Sequence, residues 1–230
     1  MTKHTTLILF DIDGTLIDPG AAGRRSITRA FEELFSIKDA FGDIRMAGKT
    51  DIQIAKEGLA THGLPSNDGV ISSIKSEYIR ILKTEIKNKR KRLMPGVMAL
   101  LDALNKRNGC RLGLLTGNIE QGARIKLGAF NLNAYFPVGA FGDDDEDRNQ
   151  LLPIALKKFQ QLTGITLQYS DCVVVGDTPS DVGCSKPFGA ISVAVATGPY
   201  SYEALLETGA DYVLKDLTQA LEEVDEFQGL

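Results

Sequence analysis

Two aspartates, Asp11 and Asp13, follow directly after an uninterrupted apolar stretch at residues 7–10. A short apolar run of this kind predicts a buried parallel strand, and ligands of open α/β sheets bind just beyond the carboxyl ends of such strands. Two carboxylates are costly to hold together there unless a cation neutralises them. Because Mg²⁺ binds carboxylate, water and phosphate oxygens, the pattern predicts a magnesium site. The alternative is a polar turn around Gly14 that binds nothing.

A second polar corner, Thr116-Gly117-Asn118, follows a later apolar run at residues 112–115. The pattern places this corner where a helix is expected to begin. Free backbone N–H groups and the helix dipole would favour an anion at such a position. In the alternative interpretation, Thr116 or Asn118 is only the cap of that helix.

Two more carboxylates, Asp177 and Asp181, come shortly after a third apolar run at residues 173–175. Thr178 as the N-cap, Pro179 at the first helical position and Asp181 would form a capping box. That interpretation explains Asp181 but gives Asp177 no role. Both residues are therefore candidate metal ligands at the same edge of the sheet as the first pair.

The apolar periodicity is helical between residues 18 and 91 and then alternates between strands and helices. Strands alternating with helices predict a parallel sheet covered on both faces. We therefore expect an α/β fold, a Rossmann-like parallel sheet with helices on both faces, plus a small inserted helical domain. Residues 1–17 and 92–230 would form the core and residues 18–91 the insert. The expected strands are residues 110–115, 137–141, 171–175, 190–196 and 211–214, and the expected later helices are residues 119–127, 151–162, 202–206 and 217–224.

The composition is that of an ordinary soluble globular protein, with 43% hydrophobic and 24% charged residues. A net charge of −4 argues against nucleic acid as the main partner, because phosphate backbones attract basic surfaces. We interpret the basic run 87–92 as a solvated helix end and the acidic run 143–147 as a solvated loop. No apolar run reaches membrane-spanning length, and no signal-peptide pattern is expected. Three cysteines without metal-type spacing predict buried free thiols in a reducing compartment, the cytoplasm.

Together these motifs resemble the haloacid dehalogenase (HAD) superfamily of phosphohydrolases. The first motif of that family matches Asp11-Ile12-Asp13-Gly14-Thr15, the second matches Thr116, and the fourth matches Gly176-Asp177 through Asp181. The helical insert directly after the first motif resembles the branch with a C1-type cap. That branch includes phosphoglycolate phosphatase-like and β-phosphoglucomutase-like enzymes. The resemblance extends through residues 193–198 and so covers nearly the whole chain.

The third motif departs from the usual pattern of the family. A lysine, often followed by proline, is typical before the helix that precedes the fourth motif, and Arg148-Asn149 occupies that place here. Arginine stays charged and can hold a phosphate with two hydrogen bonds, so it could serve the same electrostatic role. Lys157 and Lys158 are alternatives, although they fall inside the expected helix.

The resemblance implies a role for each candidate residue. Asp11 would be the nucleophile that takes the phosphoryl group as an aspartyl phosphate, and Asp13 would be the general acid and base. The implied Mg²⁺ ligands are Asp11, the backbone carbonyl of Asp13 and Asp177, with Asp181 close by. The implied phosphate ligands are Thr116, Gly117, Asn118 and Arg148. In the cap, Arg45 and Lys49 would contact the leaving group, the alternative being that Thr50 only caps a helix beside solvated basic residues.

We expect a small phosphorylated metabolite as substrate, and a monomer or homodimer with neither a nucleic-acid nor a membrane partner. A dehalogenase is disfavoured because dehalogenases of this superfamily lack the second aspartate. A phosphomutase of the β-phosphoglucomutase type stays an alternative, since it uses the same residues. Phosphonate cleavage would need a cap lysine, for which Lys49 is the candidate. A noncatalytic binding protein on this scaffold would be expected to lack Asp11 or Asp13.

Overall fold

The computed structural model describes residues 5–223, with side chains through residue 220. Its strands are β1 (Thr6–Phe10), β2 (Ile17–Asp18), β3 (Arg92–Leu93), β4 (Cys110–Leu115), β5 (Val138–Ala140), β6 (Cys172–Gly176), β7 (Ile191–Val195) and β8 (Tyr212–Leu214). All of these except β2 and β3 form a 6-stranded parallel sheet in the order β5-β4-β1-β6-β7-β8. Every residue of β1 is buried, because this strand is paired on both edges and covered on both faces.

Helices cover both faces of this sheet. Ile8 and Phe10 of β1 pack into an apolar core on one face, and Leu7 and Leu9 pack into a second core on the other. This alternation follows from the two-residue period of a strand. The predicted fold class, a Rossmann-like parallel sheet with helices on both faces, is confirmed. The helices are α1 (Ala22–Phe35), α2 (Asp51–Thr61), α3 (Asp68–Glu85), α4 (Val97–Asn105), α5 (Glu120–Gly128), α6 (Leu151–Thr163), α7 (Pro179–Ser185), α8 (Tyr202–Leu206) and α9 (Leu217–Glu223).

The first helices, α1 to α3, pack around an apolar cluster separate from the two cores of the sheet. The rings of Phe31 and Phe41 meet edge to face there, with centroids 4.7 Å apart. The chain enters this helical segment through β2 and leaves it through β3, and these short strands pair in antiparallel fashion with Asp18 opposite Arg92. The predicted division into residues 1–17 with 92–230 and residues 18–91 stays a prediction. Residues 1–4 and 224–230, including the end of the expected helix 217–224, lie outside the described residues.

Residues of both charged runs contact other parts of the protein, whereas the sequence suggests solvated segments. In the basic run, Lys91 donates to the backbone carbonyl of Ala129 at 3.0 Å. In the acidic run, Asp143 accepts from Lys75 of α3 at 3.2 Å, which joins the sheet to the helical segment. Within residues 5–223, no helix is long and apolar enough to span a membrane.

Candidate active site

Three carboxylates from distant parts of the chain meet at the carboxyl edge of the sheet. β1 and β6 are neighbours, and the backbone N–H of Asp11 donates to the carbonyl of Val175 at 2.9 Å, which brings Asp11 beside Asp177. Asp181 reaches the same point from the first turn of α7. One oxygen of each carboxylate lies within 4.8 Å of the others, and all three residues are buried. The structure therefore assembles three of the predicted metal ligands in one place.

The charges of this cluster favour the binding of a cation. Burial raises the pKa of Asp11 to about 6, and the nearby guanidinium of Arg148 opposes that rise. Burial, together with repulsion from Asp11 and Asp181, raises the pKa of Asp177 well above its usual value. Three ionised carboxylates facing one guanidinium would leave surplus negative charge in a buried site. An oxygen-rich, anionic set of donors of this kind fits Mg²⁺.

Glycines leave the room in which the Asp177 carboxylate sits. A Cβ atom at Gly14 or Gly198 would overlap that carboxylate, and Gly14 also has a φ of +89°, where other residues are strained. Thr15 Oγ1 donates to Asp177 Oδ1 at 3.1 Å, and Thr197 Oγ1 donates to the Gly14 carbonyl at 2.5 Å. The carboxylate is thus fixed by the loop that follows β1 and by the loop that follows β7.

Arg148 lies at these carboxylates, whereas the two alternative lysines do not. It begins a short 3₁₀-helix, Arg148–Gln150, directly before α6. Its buried guanidinium donates to Asp181 Oδ1 and lies 3.4 Å from Asp11 Oδ2. Its Nε atom is buried with no hydrogen-bond partner in the described part of the protein. Lys157 is exposed on α6, and Lys158 pairs with Asp144 at 2.6 Å.

Asp181 caps α7, as one interpretation of the sequence expects, and also contacts Arg148 at the carboxylate cluster. Its Oδ2 atom accepts from the backbone N–H of Thr178 at 3.0 Å and from the Thr178 hydroxyl at 2.7 Å, which completes the predicted capping box with Pro179 in the first turn. Its Oδ1 atom accepts from Arg148. The residue therefore starts α7 with one oxygen and holds the arginine with the other.

Asp13 lies in a different environment from Asp11. Its Oδ2 atom accepts from Asn118 Nδ2 at 2.9 Å and from Lys126 Nζ at 2.5 Å. Lys126 Nζ also donates to Asn118 Oδ1 at 2.5 Å, which closes a triangle of hydrogen bonds. The other carboxylate oxygen, Oδ1, is buried and has no partner among the described residues.

The polar corner after β4 is not a helix cap. The N-cap of α5 is Ile119, and the N–H groups of Ile119 and Glu120 donate to the carboxylates of Asp51 and Asp143. The alternative role for Thr116 and Asn118, as the cap of this helix, is therefore wrong. Thr116 Oγ1 accepts from the side chain of Asn118 at 2.9 Å and also lowers the pKa of Asp11, which places it beside the carboxylate cluster. Gly117 lines the adjoining cavity. The amide of Asn118 is fully used by its neighbours.

The helical segment closes over these residues and leaves a cavity of about 310 Å³ between itself and the sheet. Asp51 donates its backbone N–H to the Gly117 carbonyl at 2.7 Å and accepts from the Ile119 N–H at 2.9 Å. Thr50 caps α2 with Gln53 in a capping box, as the alternative interpretation expects, but it is buried. Its hydroxyl also donates to the Glu146 carbonyl at 3.0 Å.

The two basic residues predicted for the leaving group differ in position. Lys49 lines the cavity, but its ammonium is paired with Glu57. Arg45 is exposed, lies over the Tyr200 ring at 4.8 Å from the centroid, and is not among the residues that line the cavity.

The family model for haloacid dehalogenase-like hydrolases matches residues 5–189. The chain belongs to this family. Phosphoglycolate phosphatase from Rhodospirillum rubrum is 29% identical over 214 residues, which cover 91% of this chain and 86% of that protein. The structure of a hydrolase from Pseudomonas syringae has a TM-score of 0.74 at 24% identity and covers 96% of this chain and 99% of its own. CbbY from Rhodobacter sphaeroides, solved with phosphate, has a TM-score of 0.72 at 19% identity, with 94% and 96% of the two chains covered.

These findings confirm the predicted family and the prediction that the protein is an enzyme, a HAD-family phosphatase. All four motif positions lie within residues 5–189, the range that the family model matches.

Lys126 is the residue of this HAD-family site that sequence reasoning missed. It is 3% exposed, on the buried face of α5 with Ala123 and Leu127. A signal was present, because Ile119, Ala123 and Leu127 form an apolar helical stripe and Lys126 falls beside it. Lysine is almost never fully buried without a partner, so a lysine in an apolar stripe predicts a buried carboxylate nearby.

Proposed function

We propose that this HAD-family enzyme is a Mg²⁺-dependent phosphatase that hydrolyses a small phosphate monoester through an aspartyl phosphate on Asp11. The observation that carries the proposal is the convergence of Asp11, Asp177 and Asp181 within 4.8 Å, where Asp11 and Asp177 line a covered cavity. The phosphatase relatives favour hydrolysis over the phosphomutase alternative. The intact pair Asp11 and Asp13 argues against a noncatalytic binding protein.

Asp11 attacks phosphorus with a carboxylate oxygen, and the bond from phosphorus to the leaving alcohol oxygen breaks as the acyl phosphate forms. Asp11, Asp177 and the backbone carbonyl of Asp13 would hold the Mg²⁺, with Asp181 adjacent. When bound, the metal supplies positive charge that offsets the repulsion between an anionic nucleophile and a phosphate dianion. Arg148 adds its own charge, and its unpartnered Nε is a donor available to a phosphate oxygen.

Asp13 is the residue placed to move the proton. Its Oδ2 atom is held by Asn118 and Lys126, and its unpartnered Oδ1 atom is the oxygen free to exchange a proton. In the first step this atom protonates the departing alkoxide, and in the second it accepts a proton from the water that attacks the aspartyl phosphate. Thr116 lies beside Asp11 and Gly117 lines the cavity, and both would contact the phosphate, whereas the side chain of Asn118 orients Asp13.

Residues 18–91 would act as the cap that excludes water from this reaction. The hydrogen bonds of Asp51 to the corner after β4 support that role, since they close the helical segment onto the sheet. Of the two basic residues expected at the leaving group, Lys49 is the better supported, because it lines the cavity. We also propose a cytoplasmic location, since the three cysteines are buried free thiols, which a reducing compartment maintains.

The test is the substitution Asp11→Asn, with Asp43→Asn, an exposed aspartate of the helical segment, as control. With Mg²⁺ and an aryl phosphate, the wild type and the control should release phosphate, and Asp11→Asn should not. Acid-quenched wild type should carry a phosphoryl label that hydroxylamine removes, as expected of an acyl phosphate. Phosphate release at the wild-type rate by Asp11→Asn in a clean preparation would refute the proposal.

A further inference from the structure

The cavity continues beyond the carboxylates into a part whose walls are apolar. Buried side chains of the helical segment and of the start of α5 form these walls, namely those of Ile27, Ile54, Ala55, Ile74 and Ile119. The whole cavity, with its carboxylate end, has a volume of about 310 Å³, near the lower end of the range of sites that enclose small organic ligands, roughly 300–1,000 Å³. A leaving group of only two carbons would leave most of this apolar surface without a partner.

The basic residues around this part of the cavity are already engaged. Both terminal nitrogens of Arg24 donate to backbone carbonyls at 2.7 Å, Lys49 pairs with Glu57, and Lys75 pairs with Asp143 at 3.2 Å. The carboxylate of Asp51 also lines the cavity. Lys126, which also lines the cavity, is held by Asp13 and Asn118. Among the described residues, this wall therefore has no unengaged cation for a second anionic group of a substrate, and the Asp51 carboxylate lies nearby. A buried anion without a partner is strongly disfavoured.

One hydroxyl of the apolar part has no acceptor for its hydrogen. Tyr78 on α3 is 3% exposed and lines the cavity, and its Oη atom lies beside Lys126 Nζ but donates to no oxygen or nitrogen within the described residues. Gly23 leaves an opening at this point, because a Cβ atom there would lie 3.6 Å from Tyr78 Oη and 3.3 Å from Lys126 Nζ. Buried hydroxyl groups are normally satisfied, so an unpartnered one in a cavity wall indicates a ligand oxygen.

We propose that the substrate is the phosphate monoester of an uncharged alcohol with an apolar body of about ring size, and that Tyr78 Oη donates to a neutral oxygen of that body. The inference rests on the proposed phosphatase function and specifies the class of leaving group. This uncharged leaving alcohol differs from the anionic leaving group of a phosphate ester such as phosphoglycolate. The phosphate binds at the carboxylate end, and the apolar body fills the space between α1, α2 and α3.

The first experiment compares kcat/KM of the Mg²⁺-loaded full chain for benzyl phosphate, 4-carboxybenzyl phosphate and phosphoglycolate. The inference expects benzyl phosphate to exceed each of the other two by at least 100-fold. Equal or higher activity on the carboxylate-bearing esters would overturn the inference and leave the phosphatase proposal intact. If none of the three esters releases phosphate, and p-nitrophenyl phosphate does not either, both the inference and the proposed function fail.

The second experiment tests the apolar wall of the cavity and the hydroxyl group of Tyr78. Ile54→Thr should lower kcat/KM for benzyl phosphate about tenfold more than it lowers kcat/KM for methyl phosphate, which is too small to reach this wall. Ile71→Thr is the matched control, because Ile71 packs in the same apolar cluster but does not line the cavity. Tyr78→Phe should cost about tenfold with 3-hydroxybenzyl phosphate and little with benzyl phosphate. Equal losses on both members of a substrate pair would contradict the proposed contacts.

Discussion

Arg148 allows a prediction whose size can be worked out from the structure. Its side chain is 7% exposed and touches two buried carboxylates, those of Asp181 and Asp11. Arg148→Met would remove the guanidinium and, with it, the positive charge that faces these two carboxylates. Breaking a buried pair by removing one partner costs about 3–5 kcal/mol. For a chain of this size, 1 kcal/mol corresponds to roughly 2–4 °C in Tm, so we expect Tm to fall by roughly 6–20 °C in the absence of Mg²⁺.

The same substitution should behave differently when Mg²⁺ is present. A ligand at a hundred times its Kd stabilises a folded protein by about 2.7 kcal/mol. Because the variant cluster has more uncompensated negative charge, Mg²⁺ should raise the Tm of Arg148→Met by more than it raises that of the wild type. Turnover should nevertheless fall about 10²–10³-fold, the usual cost of losing one donor to a transition-state oxyanion. Arg148→Lys keeps the charge and should recover part of both losses.

The assay is thermal unfolding in chelator and in saturating Mg²⁺, followed by steady-state kinetics. The control is Arg80→Met, since Arg80 also pairs with two glutamates but is 58% exposed. Exposed ion pairs contribute little to stability because water and salt screen them, so the control should change Tm by no more than a few degrees. If Arg148→Met unfolds at the wild-type temperature in chelator and retains normal turnover, the arginine does not support the carboxylate cluster.

Three further predictions follow from other contacts. Lys126→Met should lower kcat about 10²-fold with little change in KM, because Asp13, the proposed general acid, loses its ammonium partner, and a rise in KM alone would contradict this. Burial raises the pKa of Asp51 to about 6, so its contribution to the free energy of unfolding is lost as pH rises from about 4 to 6. Asp51→Asn should be the more stable protein above that window by about 1 kcal/mol, reduced for partial exposure, as urea denaturation at both pH limits would measure. Gly198→Ala should weaken Mg²⁺ binding at least tenfold by displacing Asp177, whereas Gly183→Ala, with open space at its Cβ position, should bind Mg²⁺ normally.

The sequence predicts the sheet well because its pattern there has one physical cause. An apolar run of strand length bounded by polar residues fits a strand covered on both faces, and residues 7–10 fall within β1. The expected strand 110–115 coincides with β4, and the expected helix 119–127 differs from α5 by one residue at each end. Helix ends are set by caps and local hydrogen bonds, so differences of this size are ordinary.

Contacts between distant side chains are harder to predict, because they depend on how the elements pack. Lys126 and Asp13 are 113 positions apart, and nothing local in the sequence pairs them. The pair Lys75 and Asp143 depends likewise on where the helical segment lies on the sheet. Exposed loop residues are the least determined, since Arg45 could point either to the cavity or to Tyr200 without a change in the apolar pattern.

Two carboxylates two residues apart can serve different purposes here because the chain turns between them. β1 ends at Phe10, and the backbone N–H groups of Leu16 and Ile17 both donate to the carbonyl of Ile12, which folds the loop back on itself. Asp11 therefore lies among carboxylates and a guanidinium, where an ion would keep it deprotonated. Asp13 lies between an amide and an ammonium, with one oxygen unpartnered. A nucleophile must stay ionised and a general acid must exchange its proton, and two carboxylates can meet both needs only when their surroundings differ in this way.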